Sequence, residues 1–124
     1  MTALRHLVGV VDDDSSVRGA LRRLFQTAGL DVFLFASAEE YLSSPHRTEV
    51  ECLVIDVRLP GMSGLELLGR VRTETTPTLL ITAHDDERVR NRALAAGAIG
   101  LLLKPFNNRQ LLSMVKDALH LETS

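Results

Sequence analysis

The chain has 124 residues, the usual size of one compact domain and too few for two independent cores of ordinary size. With 45% hydrophobic and 24% charged residues, the composition excludes a disordered or fibrous chain. A net charge of −2 supplies no electrostatic footprint for nucleic acid or an anionic membrane, so direct DNA contact by this segment is not expected.

In chain order, the first apolar run, Leu7 to Val11, reads as a strand and ends in three consecutive aspartates. No run approaches bilayer-spanning length, so neither a signal peptide nor a membrane anchor is expected. Val17, Ala20, Leu21, Leu24, Phe25 and Ala28 follow a helical period that stops at Gly29. Val32 to Phe35 reads as a second strand, and Ser37 with Glu40 marks the start of a second helix. Ser43 to Glu51 lacks pattern and reads as a surface loop. Cys52 to Ile55 is the third strand. As the single cysteine, Cys52 excludes an intrachain disulfide, fits a reducing compartment and reads as a small core residue. Ser63 with Glu66 opens a third helix, and Leu79 to Ile81 is a fourth strand. The fourth helix, Asp86 to Ala96, puts Val89, Ala93 and Ala96 on one face and Arg88, Arg90 and Arg92 elsewhere before Gly97 ends it. Small core contacts make it the helix expected to shift most readily. Ile99 to Leu103 is the fifth strand, Asn107 with Gln110 opens the fifth helix, and the tail after Leu119 reads as a frayed end or cut linker.

Strand and helix alternate five times, which implies right-handed crossovers and a parallel sheet covered on both faces: an α/β, (βα)5 doubly wound sandwich. Residues 1–124 form one domain, with the patterned core running from about Leu7 to Leu119. In such sheets ligands sit beyond the carboxyl ends of the strands. The residues there are Asp12 and Asp13 after the first strand, Asp56 after the third, Thr82 after the fourth and Lys104 after the fifth. Each has a plain structural reading: aspartates favouring a helix N-terminus, Asp56 capping a loop, Thr82 turning the chain, a solvated lysine. Two observations weigh against that reading. The chain uses twelve arginines but lysine only at 104 and 116, so Lys104 points to a need for a compact point charge. All these groups also fall on one sheet edge. Clustered carboxylates repel one another and call for a hard cation such as Mg²⁺. Asp56 could then act as a nucleophile on phosphorus, with metal and ammonium neutralising the transferring group and Thr82 donating to a phosphoryl oxygen.

The strings Val10-Val11-Asp12-Asp13-Asp14 and Asp56-Val57-Arg58-Leu59-Pro60-Gly61-Met62-Ser63-Gly64, the pair Thr82-Ala83, and Lys104-Pro105-Phe106 together resemble the CheY-like receiver domain of bacterial two-component response regulators. The Asp-x-Arg-x-Pro-x-Met-Ser-Gly run and His84 make it most similar to receivers of the FixJ-like kind. The resemblance implies the flavodoxin-like strand order 2-1-3-4-5. It implies that Asp56 accepts phosphate from a sensor histidine kinase, in a cytoplasmic domain that assists its own phosphorylation and dephosphorylation without being an enzyme. Asp12, Asp13 and Asp56, with the Arg58 carbonyl, would hold Mg²⁺; Lys104 would contact the phosphoryl group and Thr82 would report it. A cis peptide before Pro105, phosphorylation-dependent homodimerisation through helix four and strand five, and a transcriptional output domain beyond residue 124 are also implied. A free-standing receiver acting by protein contact is the alternative. One departure stands out: receivers commonly carry Tyr or Phe where this chain has Leu101.

Three other readings fare worse. A phosphatase of the haloacid-dehalogenase type needs a second Asp at 58, where Arg stands. An FMN carrier wants hydroxyls and amides where Asp12 to Asp14 would repel the phosphate, and the Rossmann glycine fingerprint is missing.

Overall fold

The computed structural model describes residues 5–71 and 74–121. The strands are β1 (Leu7–Val11), β2 (Asp31–Phe35), β3 (Cys52–Asp56), β4 (Thr78–Thr82) and β5 (Gly100–Leu103). The helices are α1 (Ser15–Thr27), α2 (Ala38–Ser43), α3 (Gly64–Val71), α4 (Glu87–Ala95) and α5 (Asn108–Ala118). All strand pairings are parallel, in the order 2-1-3-4-5, as expected. β3 and β4 are buried along their whole length, which is why they read as unbroken apolar runs.

Alternation along the strands divides the core. Val11, Leu53, Ile55 and Leu80 pack with Tyr41, Leu67, Leu68 and Ala93 under α2, α3 and α4. On the other face, Val8, Val10, Val54 and Ile81 pack with Phe25, Leu111 and Val115 of α1 and α5. Cys52 lies buried here, with its thiol pKa pushed up to about 12 by burial, as the core reading requires.

The helices begin where the caps predict. Ser37 Oγ accepts from Glu40 N at 3.1 Å, and Asn107 Oδ1 accepts from Gln110 N at 3.0 Å. At Ser63 the box is reciprocal: its Oγ accepts from Glu66 N at 3.1 Å, and its own N donates to Glu66 Oε1 at 3.3 Å. The ends of α1, α4 and α5 share one device. Leu30 N donates to Phe25 O and Gly29 N to Gln26 O; the same pair of bonds recurs at Ala98 and Gly97 after α4, and at Leu121 and His120 after α5. The residue after the cap takes the left-handed conformation, at φ 84° in Gly29, 97° in Gly97 and 59° in His120. Leu121 packs against the core, so the expected fraying after Leu119 does not begin there; residues 122–124 lie outside the described part.

A second correction concerns Ser43 to Glu51. This stretch contains a 3₁₀ helix, Pro45–Glu49, opened by Ser44 Oγ accepting from His46 N at 3.1 Å. Proline at its first position presets the backbone dihedral, and the turn is too short to show an apolar period.

The glycines of α3 allow a direct check. A Cβ on Gly64 would drive into the backbone oxygen of Asp56 and lie 2.8 Å from Val57 Cα, whereas one on Gly69 would meet nothing within 4 Å. Gly64→Ala should cost about 3 kcal/mol in urea unfolding, and Gly69→Ala should stabilise by about 0.5–1 kcal/mol.

Candidate functional site

The chain reverses its direction of travel across the sheet between β1 and β3, so the ends of these two strands flank a crevice. Asp12 and Asp56 stand at that crevice, and both are buried, Asp12 completely. The three aspartates after β1 have separate jobs. Asp14 caps α1, its Oδ1 accepting from Ser16 N at 2.8 Å. Asp12 turns inward and accepts from Asp14 N at 2.9 Å, while Asp13 stays exposed. The helix-terminus reading therefore holds for Asp14 and fails for Asp12.

Lys104 reaches the same point from β5. Its Nζ donates to Asp56 Oδ2 at 2.8 Å and to Asp12 Oδ2 at 3.1 Å, with the side chain 20% exposed. The peptide from Lys104 to Pro105 is cis, as the family resemblance implies. Thr82 closes β4 between them in a buried position. Its Oγ1 accepts from His84 N at 3.2 Å, and its carbonyl accepts from Lys104 N at 2.7 Å. Arg58 joins through its backbone, N donating to Asp56 Oδ1 at 3.0 Å, while its side chain is exposed.

Sequence reasoning assigned no role to Arg18, whose Nη1 donates to the Asp12 carbonyl at 2.7 Å and fixes the β1–α1 turn. A basic residue one turn into a helix is too common to have marked it.

The electrostatics follow from these contacts. Burial is the largest influence on Asp12 and raises its pKa above the ordinary aspartate value; the Asp56 charge adds to this, and the Asp14 amide and Lys104 only partly offset it. For Lys104, burial works to lower the pKa, but hydrogen bonds and charges from Asp56 and Asp12 outweigh it and hold the ammonium above its usual value. Carboxylate oxygens of Asp12, Asp13 and Asp56 lie within 4.8 Å of one another. Three carboxylates against one ammonium leave two formal negative charges, which a divalent cation matches, and an all-oxygen donor set suits Mg²⁺.

The sequence matches the family described as response regulator receiver domain over residues 8–116. Nodulation protein W of Bradyrhizobium diazoefficiens is 44% identical over 115 residues, covering 90% of this chain and 50% of that protein. Transcriptional regulatory protein FixJ of the same organism is 36% identical over 121 residues, covering 96% of this chain and 58% of that protein. The chain spans about half the length of the curated relatives it matches. Among solved structures, chemotaxis protein CheY4 of Vibrio cholerae is similar with a TM-score of 0.85 at 30% identity, over 93% of this chain and 99% of that one.

The raised pKa of Asp12 has a sign that can be tested. A carboxyl whose folded pKa is raised stabilises the fold only while protonated, so the metal-free protein loses that increment as pH rises through the raised value. Asp12→Asn removes the buried charge and can keep the acceptor for Asp14 N. At neutral pH it should raise metal-free stability by about 1 kcal/mol, roughly 4 °C in Tm for a domain of this size, and remove any rise in Tm seen on adding Mg²⁺. A fall in metal-free Tm would mean that the Lys104 pairing outweighs the burial of Asp12.

Proposed function

The chain belongs to the response regulator receiver family, and from that premise we propose that Asp56 is the phosphoacceptor of a two-component system. The observation that carries this is the Lys104 ammonium lodged between the Asp56 and Asp12 carboxylates. Asp56 is held for attack at the end of β3, with Oδ1 fixed by the Arg58 amide and Oδ2 by Lys104. A bond forms between Asp56 oxygen and phosphorus as the phosphorus–nitrogen bond to a histidine of the sensor kinase breaks, and the imidazole leaves with the electron pair. Lys104 already touches the nucleophile, so a modest swing of its side chain brings Nζ to a phosphoryl oxygen. The Thr82 hydroxyl accepts from His84 N and keeps its own proton free to donate to that group.

Asp12, Asp13 and Asp56 offer carboxylate oxygens for Mg²⁺, with the Arg58 carbonyl as a further ligand by the family resemblance. When bound, Mg²⁺ neutralises charge on the transferring phosphoryl oxygens. The self-assisted phosphoryl chemistry of a receiver, without turnover of a separate substrate, fits Arg58 where an acid–base aspartate would be needed for a phosphatase.

Phosphorylation promotes self-association through α4 and β5. α4 buries only Ala93 fully, exposes Arg88 and Arg92, and leaves Leu94 51% exposed, while Ile99 beside β5 is 44% exposed. Arginine and small residues mark this face in the sequence, whereas the exposure of Leu94 shows only in the structure. The output is transcriptional, through a domain beyond residue 124, on the strength of relatives about twice as long that include a protein named a transcriptional regulator. DNA contact then belongs to that domain, consistent with the net charge of −2 here. The setting is cytoplasmic, and no helix among the described residues is long and apolar enough to cross a membrane.

Asp56→Asn should abolish labelling by acetyl phosphate or kinase, and excess EDTA should suppress labelling of the wild type; persistence of either signal removes the corresponding assignment. Leu101 separates the parts of the switch. It packs, partly buried, on the α4 side of the sheet, and offers less differential burial than an aromatic ring. Leu101→Ala should leave labelling nearly unchanged and beryllofluoride-induced association only modestly altered in sedimentation. Thr82→Ala should uncouple labelling from association. The reverse pattern would make position 101 the switch.

A further inference from the structure

We propose that Glu39, on α2, is a positioning residue for the loop after Asp56, clamping its outer corner and so holding the Asp56–Arg58 turn in the arrangement that binds Mg²⁺. The proposal rests on the metal-site reading above. Glu39 Oε2 accepts from Met62 N at 2.9 Å, a link between residues 23 positions apart in sequence. Gly61, next to it, sits at φ 73°, and a Cβ there would lie 2.6 Å from the same Glu39 oxygen. Glycine at 61 thus serves twice, providing the left-handed turn and the room for the carboxylate.

The reach of Glu39 is set by its place on α2. It is the second residue of a helix capped by Ser37, where the helix dipole favours an anion. Its neighbour Glu40 is engaged elsewhere, accepting from Ala36 N at 3.1 Å. The Met62 amide, with the backbone amide of Glu39 itself, holds the Glu39 carboxyl below its ordinary range, so it is ionised and a strong acceptor at neutral pH.

The loop's other anchors lie below. Val57 and Leu59 are buried in the core under α3, Met62 packs against it, and Gly64 N donates to Val57 O at 2.9 Å. Arg58 lies between these points, with its amide on Asp56 Oδ1. Fixing the corner at residues 61 and 62 from outside restricts the segment that carries Arg58. Groups that orient metal ligands without touching the metal commonly matter for affinity.

The test is amide hydrogen exchange at Met62 and Arg58 in the metal-free chain, together with calorimetric titration by Mg²⁺. Glu39→Ala should speed exchange at both amides and weaken Mg²⁺ binding by about fivefold. Glu39→Gln, which keeps an acceptor oxygen, should stay within about twofold of wild type in both. Unchanged Arg58 exchange and Mg²⁺ affinity in Glu39→Ala would overturn the proposal, as would equal weakening by both substitutions. If the wild type itself takes up no Mg²⁺, the metal-site reading fails, and Arg58 exchange still decides whether the clamp reaches the Asp56 turn.

Discussion

A single ammonium ties β5 to two strands, β3 and β1, that the sheet does not place beside it. β5 is separated from β3 by β4, and from β1 by both, yet Lys104 Nζ donates to Asp56 at the end of β3 and to Asp12 after β1. Without it, two buried carboxylates would face each other in a crevice with a low local dielectric, an arrangement that costs far more than an exposed pair. Lysine fits this place better than arginine. Its charge is compact, its three donors rotate freely, and two of them serve Asp12 and Asp56 while one remains available. Two carboxylates with one cation are underpaired by design, and Asp13 at the rim adds a third. The site is therefore stable enough to form and still attracts further positive charge.

That arrangement explains which parts of the fold were legible in the sequence. The doubly wound architecture could be read because parallel strands covered on both faces leave short apolar runs, and because Ser37, Ser63 and Asn107 carry their caps in sequence. The apolar runs stop short of the strand ends at Asp31, Asp56, Thr78 and Thr82, where polar residues continue the strand. Of those four, the two at the carboxyl ends, Asp56 and Thr82, belong to the candidate site, and there local pattern fails because chemistry overrides it. The site residues themselves were legible because a parallel sheet gathers the carboxyl ends of its strands on one edge.

What escaped the sequence is what depends on three-dimensional partners. Nothing in the run of three aspartates shows that Asp12 is buried against Lys104 or that Asp14 caps a helix. His120 takes a left-handed conformation usually left to glycine, and the turn is fixed by bonds from Leu121 and His120 back into α5. Arg18 and Glu39 look like ordinary charged residues on helices, yet each meets the backbone of a loop at the site edge or near it. Leu94 carries an apolar side chain on a helix whose buried face is nearly all alanine and valine, and burial alone shows that it points outward.

The weakest helix lies where a change at the site would be felt. α4 buries one residue fully, and its N-cap, Asp86, stands four residues after Thr82. The connection is short and runs through a hydrogen bond, since Thr82 Oγ1 accepts from His84 N. The proton can turn to a new acceptor on Asp56 with that bond intact, but a swing of the Thr82 side chain itself toward the acceptor breaks it, and the His84 amide must then find another partner or move. On the proposed reading, the cost falls on the Ala83–Asp86 connection, which leads directly into a helix with little burial to resist displacement. Leu101 packs from β5 against the same side of the core, so repacking at α4 reaches it without any ring to swing. A chain with a weakly held α4 needs less bias from the site than one with a heavily buried helix, and this offsets the smaller contribution available from a leucine at position 101.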